Sequence, residues 1–357
     1  MYFKQFLDDE LGCSSYLIAS RRSREAAVVD PAADVGPYLR LAEDRGYRIR
    51  SVIDTHIHAD HLSGNRALVA ATGAELCLHE AADVLFPFRP LADGEEVSVG
   101  QLVLRIIHTP GHRPEACSVA VTNPPRSPEP SLVLSGDTLF VGDVGRPDFG
   151  GAEGARQQHA SVRTLLRLED YVEVFPAHFE GSCGNGMCGR PSSTIGFERR
   201  FNPVLQLAES DFVRLAAEVP ARPLNMTAIV ATNRGAGTFE WAAQGPRRDV
   251  PDIAPEGAPT WLAHCDAVVL DVREPGEYAA GHLPGAASVP QADLALRLAE
   301  VPRDREVLAV CASGMRSRRA AQFLARMGYA RVANLAGGTN AWMAAGHPVH
   351  TGAHPDA

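Results

Sequence analysis

The chain predicts an α/β protein built as two domains. Its 357 residues exceed one ordinary domain and suit two. Short apolar runs that read as strands alternate with helix-length amphipathic stretches along the chain. Between residues 245 and 259 four prolines lie among charges, a composition that suits neither a helix nor a central strand. That stretch reads as a linker. Residues 1–245 are then the first domain, 246–257 the linker and 258–357 the second.

Composition narrows the class. Hydrophobic content of 45% with 22% charged residues is that of a soluble globular protein. A formal net charge of -9 argues against a nucleic-acid or anionic-membrane partner. Residues 1–12 carry acidic side chains where a signal peptide has an apolar core, and no stretch of ~20 apolar residues occurs. Seven cysteines, an odd count spread over a long chain, do not make a secreted disulfide framework. Free thiols in a reducing cytoplasm are expected.

From the N-terminus, residues 14–20 and 25–30 read as strands joined by the turn Arg21-Arg22-Ser23-Arg24. Residues 34–46 read as a helix with an acidic start, apolar Val35, Leu39 and Leu41, and a glycine stop. The strand Ser51-Val52-Ile53-Asp54 then runs into Thr55-His56-Ile57-His58-Ala59-Asp60-His61. Side chains two apart in an extended segment point the same way, so His56 and His58 are expected side by side. A helix to about residue 72 and a strand over 74–79 follow. Residues 97–99 and 102–107 form a hairpin around Gly100 that leads into Thr109-Pro110-Gly111-His112. Residues 117–121 and 132–134 are strands, the second running into Gly136-Asp137-Thr138. Residues 171–175 are another strand and end in Pro176-Ala177-His178. Apolar segments at 212–215 and 228–230 are expected to complete the first domain.

Four of these strands end in a metal-ligand side chain: His56 with His58, His112, Asp137, and His178. Loops at strand ends gather distant side chains onto one rim of a rigid sheet. Reading each as an isolated cap or surface residue requires four coincidences. Imidazole and carboxylate are ligands preferred by zinc and by non-haem iron. The motifs read as a metal site, and their spacing does not separate one metal from two.

His-x-His-x-Asp-His, Thr-Pro-Gly-His, Gly-Asp-Thr-Leu-Phe and Pro-Ala-His together resemble the metallo-β-lactamase superfamily over residues 1–245. The resemblance implies a four-layered αβ/βα sandwich with a metal site at one edge between two sheets. Within the superfamily the closer resemblance is to the persulfide (sulfur) dioxygenase branch. His-x-His-Ala-Asp-His, the segment Thr109 to Ser118 and Gly145-Arg146-x-Asp148-Phe149 carry it. This branch implies one Fe(II) per chain held by His56, His112 and Asp137, with positions left for O₂ and a sulfur substrate. His58, Asp60, His61 and His178 would then orient the ligands or handle protons. The hydrolytic glyoxalase II branch implies two zinc ions instead. There His56, His58 and His112 hold one, Asp60, His61 and His178 the other, and Asp137 bridges.

Arg146 reads either as a loop ion pair or as a contact for the thiol part of the substrate, and Asp148 as a loop ion pair. The chain departs from glutathione-using members, which carry Asp-Tyr after the last histidine; here Phe179-Glu180 precede a glycine-rich segment. That leaves the co-substrate thiol open, with glutathione persulfide as the default. Cys183 reads either as a persulfide relay near the metal or as a loop thiol, and Cys188 as a loop thiol.

In the second domain, Val268-Val269-Leu270-Asp271-Val272-Arg273 is an apolar strand followed by the turn Glu274-Pro275-Gly276. Residues 307–310 are a buried strand delivering Cys311-Ala312-Ser313-Gly314-Met315-Arg316-Ser317. A helix follows, with Ala320, Ala321, Phe323, Leu324 and Met327 on one face and Gly328 as its stop. This alternation is that of an open α/β sheet with ligands at strand C-termini. Over the helix N-terminus, loop amides and nearby Arg316 and Arg318 favour the thiolate form of Cys311.

With Asp271 to Tyr278, Gly281 to Ala286 and Gly337-Gly338-x-x-Ala341-Trp342, the domain resembles a single-domain rhodanese. The resemblance makes Cys311 the sulfur carrier, its persulfide held by the amides of the loop through Ser313, Gly314 and Met315. It assigns to Arg316 the sulfonate of thiosulfate or the charge on the transferred sulfur. A related phosphatase class has one more residue between its Cys and Arg, so four intervening residues argue for sulfur. Asp271 and Arg273 read as a structural ion pair and His282 as a turn residue.

Together the resemblances imply a bifunctional cytoplasmic enzyme. It would oxidise a thiol persulfide with O₂ to sulfite at iron and exchange sulfane sulfur with thiosulfate at Cys311. A two-zinc thiolester hydrolase is the alternative. A third reading makes the C-terminal domain a persulfide sensor or sulfur-delivery module. The expected partners are small molecules, with no nucleic acid and no membrane, and a homo-oligomer is left open.

Overall fold

The computed structural model describes residues 1–8, 11–147, 150–180, 187–216, 222–237, 250–265 and 267–352. The chain divides into two compact units: Met1–Val219 with Asn233–Ala236, and Pro220–Thr232 with Gly237–Ala357. No helix among the described residues is long and apolar enough to cross a membrane.

In the first unit, Tyr2–Asp8 (β1), Cys13–Ala19 (β2), Glu25–Val29 (β3), Arg48–Ile53 (β4), Glu75–His79 (β5) and Arg89–Leu91 (β6) form one sheet in sequence order. Glu96–Val99 (β7), Leu102–His108 (β8), Cys117–Thr122 (β9), Pro130–Gly136 (β10), Glu173–Pro176 (β11) and Ser193–Thr194 (β12) form a second, ordered from β12 to β7. Alternation along β2 explains the layering. Tyr16 and Ile18 enter a core shared with Leu104, Val119 and Leu134 of the second sheet. Leu17 and Ala19 point the other way, toward Tyr38, Ala42 and Leu68 of helices Gly36–Arg45 and Asn65–Thr72. Behind the second sheet, Val133 and Val174 pack on Val162, Leu165 and Phe212 of helices Gly151–Leu165 and Glu209–Ala216. The layers are helix, sheet, sheet, helix, as the resemblance implies.

Elements of this unit that were not expected include β1, β6 and the helix Gly151–Leu165. β1 pairs antiparallel with β2 over its full length, although residues 1–12 carry no clear strand signal. β6 is only three residues long. The helix Gly151–Leu165 opens with glycines and mixes polar residues into its buried face, which obscures its period.

In the second unit Asp252–Ile253 (β13), Ala267–Asp271 (β14), Ala287–Ser288 (β15), Glu306–Val310 (β16) and Val332–Leu335 (β17) form a parallel sheet ordered β13-β17-β16-β14-β15. Parallel strands need crossovers, and apolar clusters cover both faces accordingly. Val307 and Ala309 meet Ala320, Ala321 and Leu324 of the helix Met315–Arg326, while Leu308 and Val310 meet Tyr278 and Trp342.

Two boundaries differ from expectation. The stretch read as linker is sheet in its second half: Val250 is in the core, and β13 is an edge strand, where prolines on either side are tolerated. Residues 246–249 lie outside the described residues. Residues 228–230, expected in the first domain, group with the second unit. Nearby Arg222 is paired to Glu274 at 3.1 Å, and Asn225 exchanges hydrogen bonds with the Gln291 carbonyl and the Ala295 amide.

Gly338 holds the second unit's loop together. Its φ is +61°, and an added Cβ would overlap the Cys311 carbonyl oxygen. Gly338→Ala should cost about 2–3 kcal/mol through strain and displacement of the cysteine loop. A chemical-denaturation midpoint equal to the parent's would contradict this packing.

Candidate metal centre and cysteine loop

Beyond Ile53 the chain bends, because Asp30, in the left-handed region at φ 50°, takes hold of Thr55. The Asp30 carboxylate accepts from the Thr55 amide at 2.7 Å and from its hydroxyl at 2.8 Å. With its proton committed to Asp30, the Thr55 oxygen accepts from His56 Nδ1–H at 3.0 Å. The lone pair of His56 is therefore on Nε2, which lies 3.8 Å from Asp137 Oδ2. His112 is set the same way by another partner: its Nδ1–H donates to the Arg146 carbonyl at 2.7 Å, and Nε2 lies 3.5 Å from Asp137 Oδ2.

All three residues are at most 3% exposed. Asp137 Oδ1 accepts from His178 at 2.7 Å, but Oδ2 is buried with no hydrogen-bond donor among the described residues. A carboxylate oxygen facing two imidazole lone pairs and no proton is a site that fits a cation. The ligand atoms of His56, His112 and Asp137 all lie within 4.8 Å of one another.

The protonation states agree. Burial, then the neighbouring His58, push His56 well below the usual histidine range, so it stays neutral. Burial opposes ionisation of Asp137, yet His178 and His56 hold it below the usual carboxylate range. The same contest, with burial outweighed by His178 and His61, leaves Asp60 ionised. His178 Nε2 donates to Asp60 at 2.8 Å as its Nδ1 donates to Asp137, so in this geometry the ring carries both protons between two carboxylates.

His58 goes elsewhere. Its ring centroid is 4.2 Å from that of His56, so the expected proximity is present, but the rings are inclined at 60°. His58 Nε2 lies 3.3 Å from Asp30, and it groups with Asp30 and Asp54 rather than with His56 and His112. Asp54, whose carboxyl burial pushes up to about 6, is held by Ser63 and Asn65. Asp60, His61 and His178 form a third group with Cys13, whose sulfur is 3.6 Å from His61 Nδ1. Cys13 escaped the sequence reading because it arrives by a bridge between β2 and the His178 segment.

Other supports were also missed. Gln158 is fully buried on the helix Gly151–Leu165. It accepts from the His112 amide at 2.9 Å and donates to the carbonyls of Asp137 and Thr138 at 3.3 and 2.8 Å. Glu115 accepts from the Ile57 amide and from Arg113, both at 3.0 Å. Asn233 donates to the carbonyls of His58 and His61, each at 2.9 Å. Arg146 contributes its backbone carbonyl, and Gly145 before it lies where a Cβ would overlap the Asp137 carbonyl oxygen. Cys183 and Asp148 lie outside the described residues, and Cys188 is exposed.

In the second unit Cys311 is buried at the C-terminal end of β16. The Gly314 amide donates to its sulfur at 3.1 Å, and Ser317 Oγ is 3.3 Å away. Ser313 on the loop and Met315 at the start of the following helix are exposed. The arginines differ from expectation. Arg316 is engaged by both oxygens of Glu277, at 2.8 and 2.6 Å, and Arg318 is paired with Asp252. Arg273 and Asp271 form a buried pair at 2.6 Å, and His282 stacks on Tyr278 while bonding its carbonyl.

If Gln158 joins the two ligand loops, Gln158→Leu should keep the fold but weaken metal binding about 10- to 100-fold, the usual cost of losing such a support. Metal titration of the chelator-stripped protein, followed with its circular dichroism, checks both. Unaltered affinity would remove Gln158 from the site.

Two family models match the chain: the metallo-β-lactamase superfamily over residues 8–178 and the rhodanese-like domain over residues 255–345. The Homo sapiens protein named Persulfide dioxygenase ETHE1, mitochondrial, is 29% identical over 213 residues, covering 56% of this chain and 74% of that protein. A crystal structure described as a metallo-β-lactamase from Staphylococcus aureus subsp. aureus COL matches with a TM-score of 0.63 at 28% identity. It covers 94% of this chain and 98% of that one. The crystal structure of ETHE1 from Myxococcus xanthus matches with a TM-score of 0.58 at 29% identity, over 66% of this chain and all 100% of that one. On these matches and this fold, the chain carries a domain of the metallo-β-lactamase superfamily followed by a rhodanese-like domain.

Proposed function

We propose that the chain oxidises a low-molecular-weight thiol persulfide with O₂ at a single iron and transfers sulfane sulfur through Cys311. The first reaction balances as R-SSH + O₂ + H₂O giving R-SH and sulfurous acid, released as sulfite. The first unit would carry oxidation and the second sulfur transfer. The observation that carries the one-metal reading is the division of the histidines. His56 and His112 share Asp137, while His58 lies with Asp30 and Asp54. A two-zinc hydrolase needs a His58 nitrogen among the ligand atoms of His56 and His112, whereas His58, although its ring lies against His56, groups with Asp30 and Asp54, and both nitrogens of His178 are bonded to carboxylates. The printed name of the human relative and the rhodanese-like domain on the same chain both support sulfur as the substrate atom.

Bound by His56, His112 and Asp137, Fe(II) would supply the redox chemistry and the open positions that O₂ and a persulfide sulfur require. The chain's own groups do the rest. Thr55 and the Arg146 carbonyl hold the two imidazoles with Nε2 deprotonated. His178, protonated between Asp137 and Asp60, can hold or release a proton at Nε2. At Cys311 the Gly314 amide stabilises negative charge on sulfur. The cluster of Cys13, Asp60, His61 and His178 supports a second reading, in which another ion is held there and a thiolester is hydrolysed.

Elemental analysis of anaerobically purified protein separates the two. About one iron per chain, with oxygen uptake and sulfite release on glutathione persulfide, is the expected result. About two zincs per chain with thiolester cleavage and no oxygen uptake would overturn it. Variants then separate the two activities. His112→Ala should abolish oxygen uptake and keep sulfur transfer, and Cys311→Ser should do the reverse. Loss of both in either variant would contradict independent sites.

A further inference from the structure

The arginine next to the sulfur-carrying cysteine is already occupied. Both guanidinium nitrogens at the tip of Arg316 are bound by the two oxygens of Glu277, at 2.8 and 2.6 Å, the fork-to-fork geometry that is strongest for this pair. The pair is only partly open to water, at 22% exposure for the Arg316 side chain and 36% for Glu277. Glu277 is itself held in place, because its Oε2 also accepts from the Glu274 amide at 3.1 Å and closes the first turn of the helix Pro275–Ala280. Its position is therefore set by its own helix as well as by Arg316.

Other arginines of this unit are paired in the same way, although the exposed Arg319 at the pocket beside Ser313 and Gly314 has no acidic partner among the described residues. Arg318 is paired with Asp252, Arg273 with Asp271, and Arg222 with Glu274. The hydrogen bonds to the Cys311 sulfur come from the Gly314 amide and the Ser317 hydroxyl, and no guanidinium among the described residues bonds it directly. A dianion entering this site has to displace the Glu277 carboxylate from Arg316 or accept a position without it. An organic persulfide has no sulfonate next to its reacting sulfur, so its transfer does not require Glu277 to leave Arg316.

We propose that Glu277 is a specificity-determining residue that acts through Arg316, selecting organic persulfides over thiosulfate as sulfur donors to Cys311. This rests on the reading of Cys311 as a sulfur carrier. Both donor reactions balance. The Cys311 thiolate attacks the outer sulfur of R-S-SH, a new S–S bond forms, and R-S⁻ leaves with the electron pair of the old one. With thiosulfate the same attack releases sulfite. Both leaving groups are anions, but only sulfite is a dianion with the oxygens that the fork of Arg316 would bind.

The test is sulfur transfer to cyanide by the full chain under anaerobic conditions, with thiosulfate and glutathione persulfide as alternative donors. Glu277→Gln keeps an oxygen to accept from the Glu274 amide, so the helix start survives, but removes the charge that holds Arg316. The variant should raise kcat/KM for thiosulfate relative to persulfide by about three- to tenfold, the range for releasing a partly exposed ion pair, and should do so through KM. Sulfate, an unreactive dianion, should become a better competitor in parallel. If thiosulfate and persulfide change together, or neither changes, the pair is structural and the inference is wrong. If the wild-type protein transfers sulfur from neither donor, the sulfur-carrier reading falls first and takes the inference with it.

Discussion

The first unit depends on one buried carboxylate. Asp137 sits where β10 ends, and its two oxygens are used differently: Oδ1 accepts a hydrogen bond from His178, while Oδ2 faces His56 and His112 with no donor among the described residues. A buried charge without compensation is costly, so the surroundings have to keep it ionised and in place. His178 supplies the charge. Gln158 pins the Asp137 carbonyl, and Gly145 lets a second backbone segment pass against it. The same neighbours position His112, through its amide and through the carbonyl of Arg146. One set of contacts therefore fixes a ligand, its partner and the tautomer that makes the partner a ligand.

What was legible in the sequence follows from how each residue is encoded. His56, His112, Asp137 and His178 stand at the ends of apolar strands in dense polar motifs, so their types and places both carry signal. The four layers were readable through resemblance, and the strands through alternation. Gln158, Asn233 and Asp30 carry no such mark. Gln158 is one of two adjacent glutamines in a helix with a mixed face, and Asn233 reaches carbonyls more than 170 residues away. Asp30 resembles any aspartate before a proline until its carboxylate is seen on Thr55. Side chains that bind backbone rather than metal leave little trace in composition or period, because many residue types can do so.

The second unit shows the complementary case. There the motifs were local, and Cys311, its loop and the following helix are where periodicity and spacing put them. Charge state was the part not readable. Arg316 lies in the motif as a free cation, and only the fold brings Glu277, 39 residues earlier, against it. Asp252 reaches Arg318 from a stretch read as linker. Sequence motifs list charges, whereas the field at a site depends on which charges are already paired.

Both sites solve one geometric problem in one way. A reactive side chain placed at a strand end has to be held by something other than its own strand, because the ladder stops there. In each unit a backbone carbonyl next to the reactive residue is packed against a glycine: Gly145 against Asp137, Gly338 against Cys311. Contact without a side chain lets a second segment come close enough to donate hydrogen bonds. Gln158 does so near Asp137, and the Thr339 amide donates to the Cys311 carbonyl at 2.7 Å. The reactive atoms are left free for substrate or metal, while rigidity is supplied from behind by groups that never touch either. That division explains why changes in the supporting segments should alter affinity or specificity before they alter the chemistry itself.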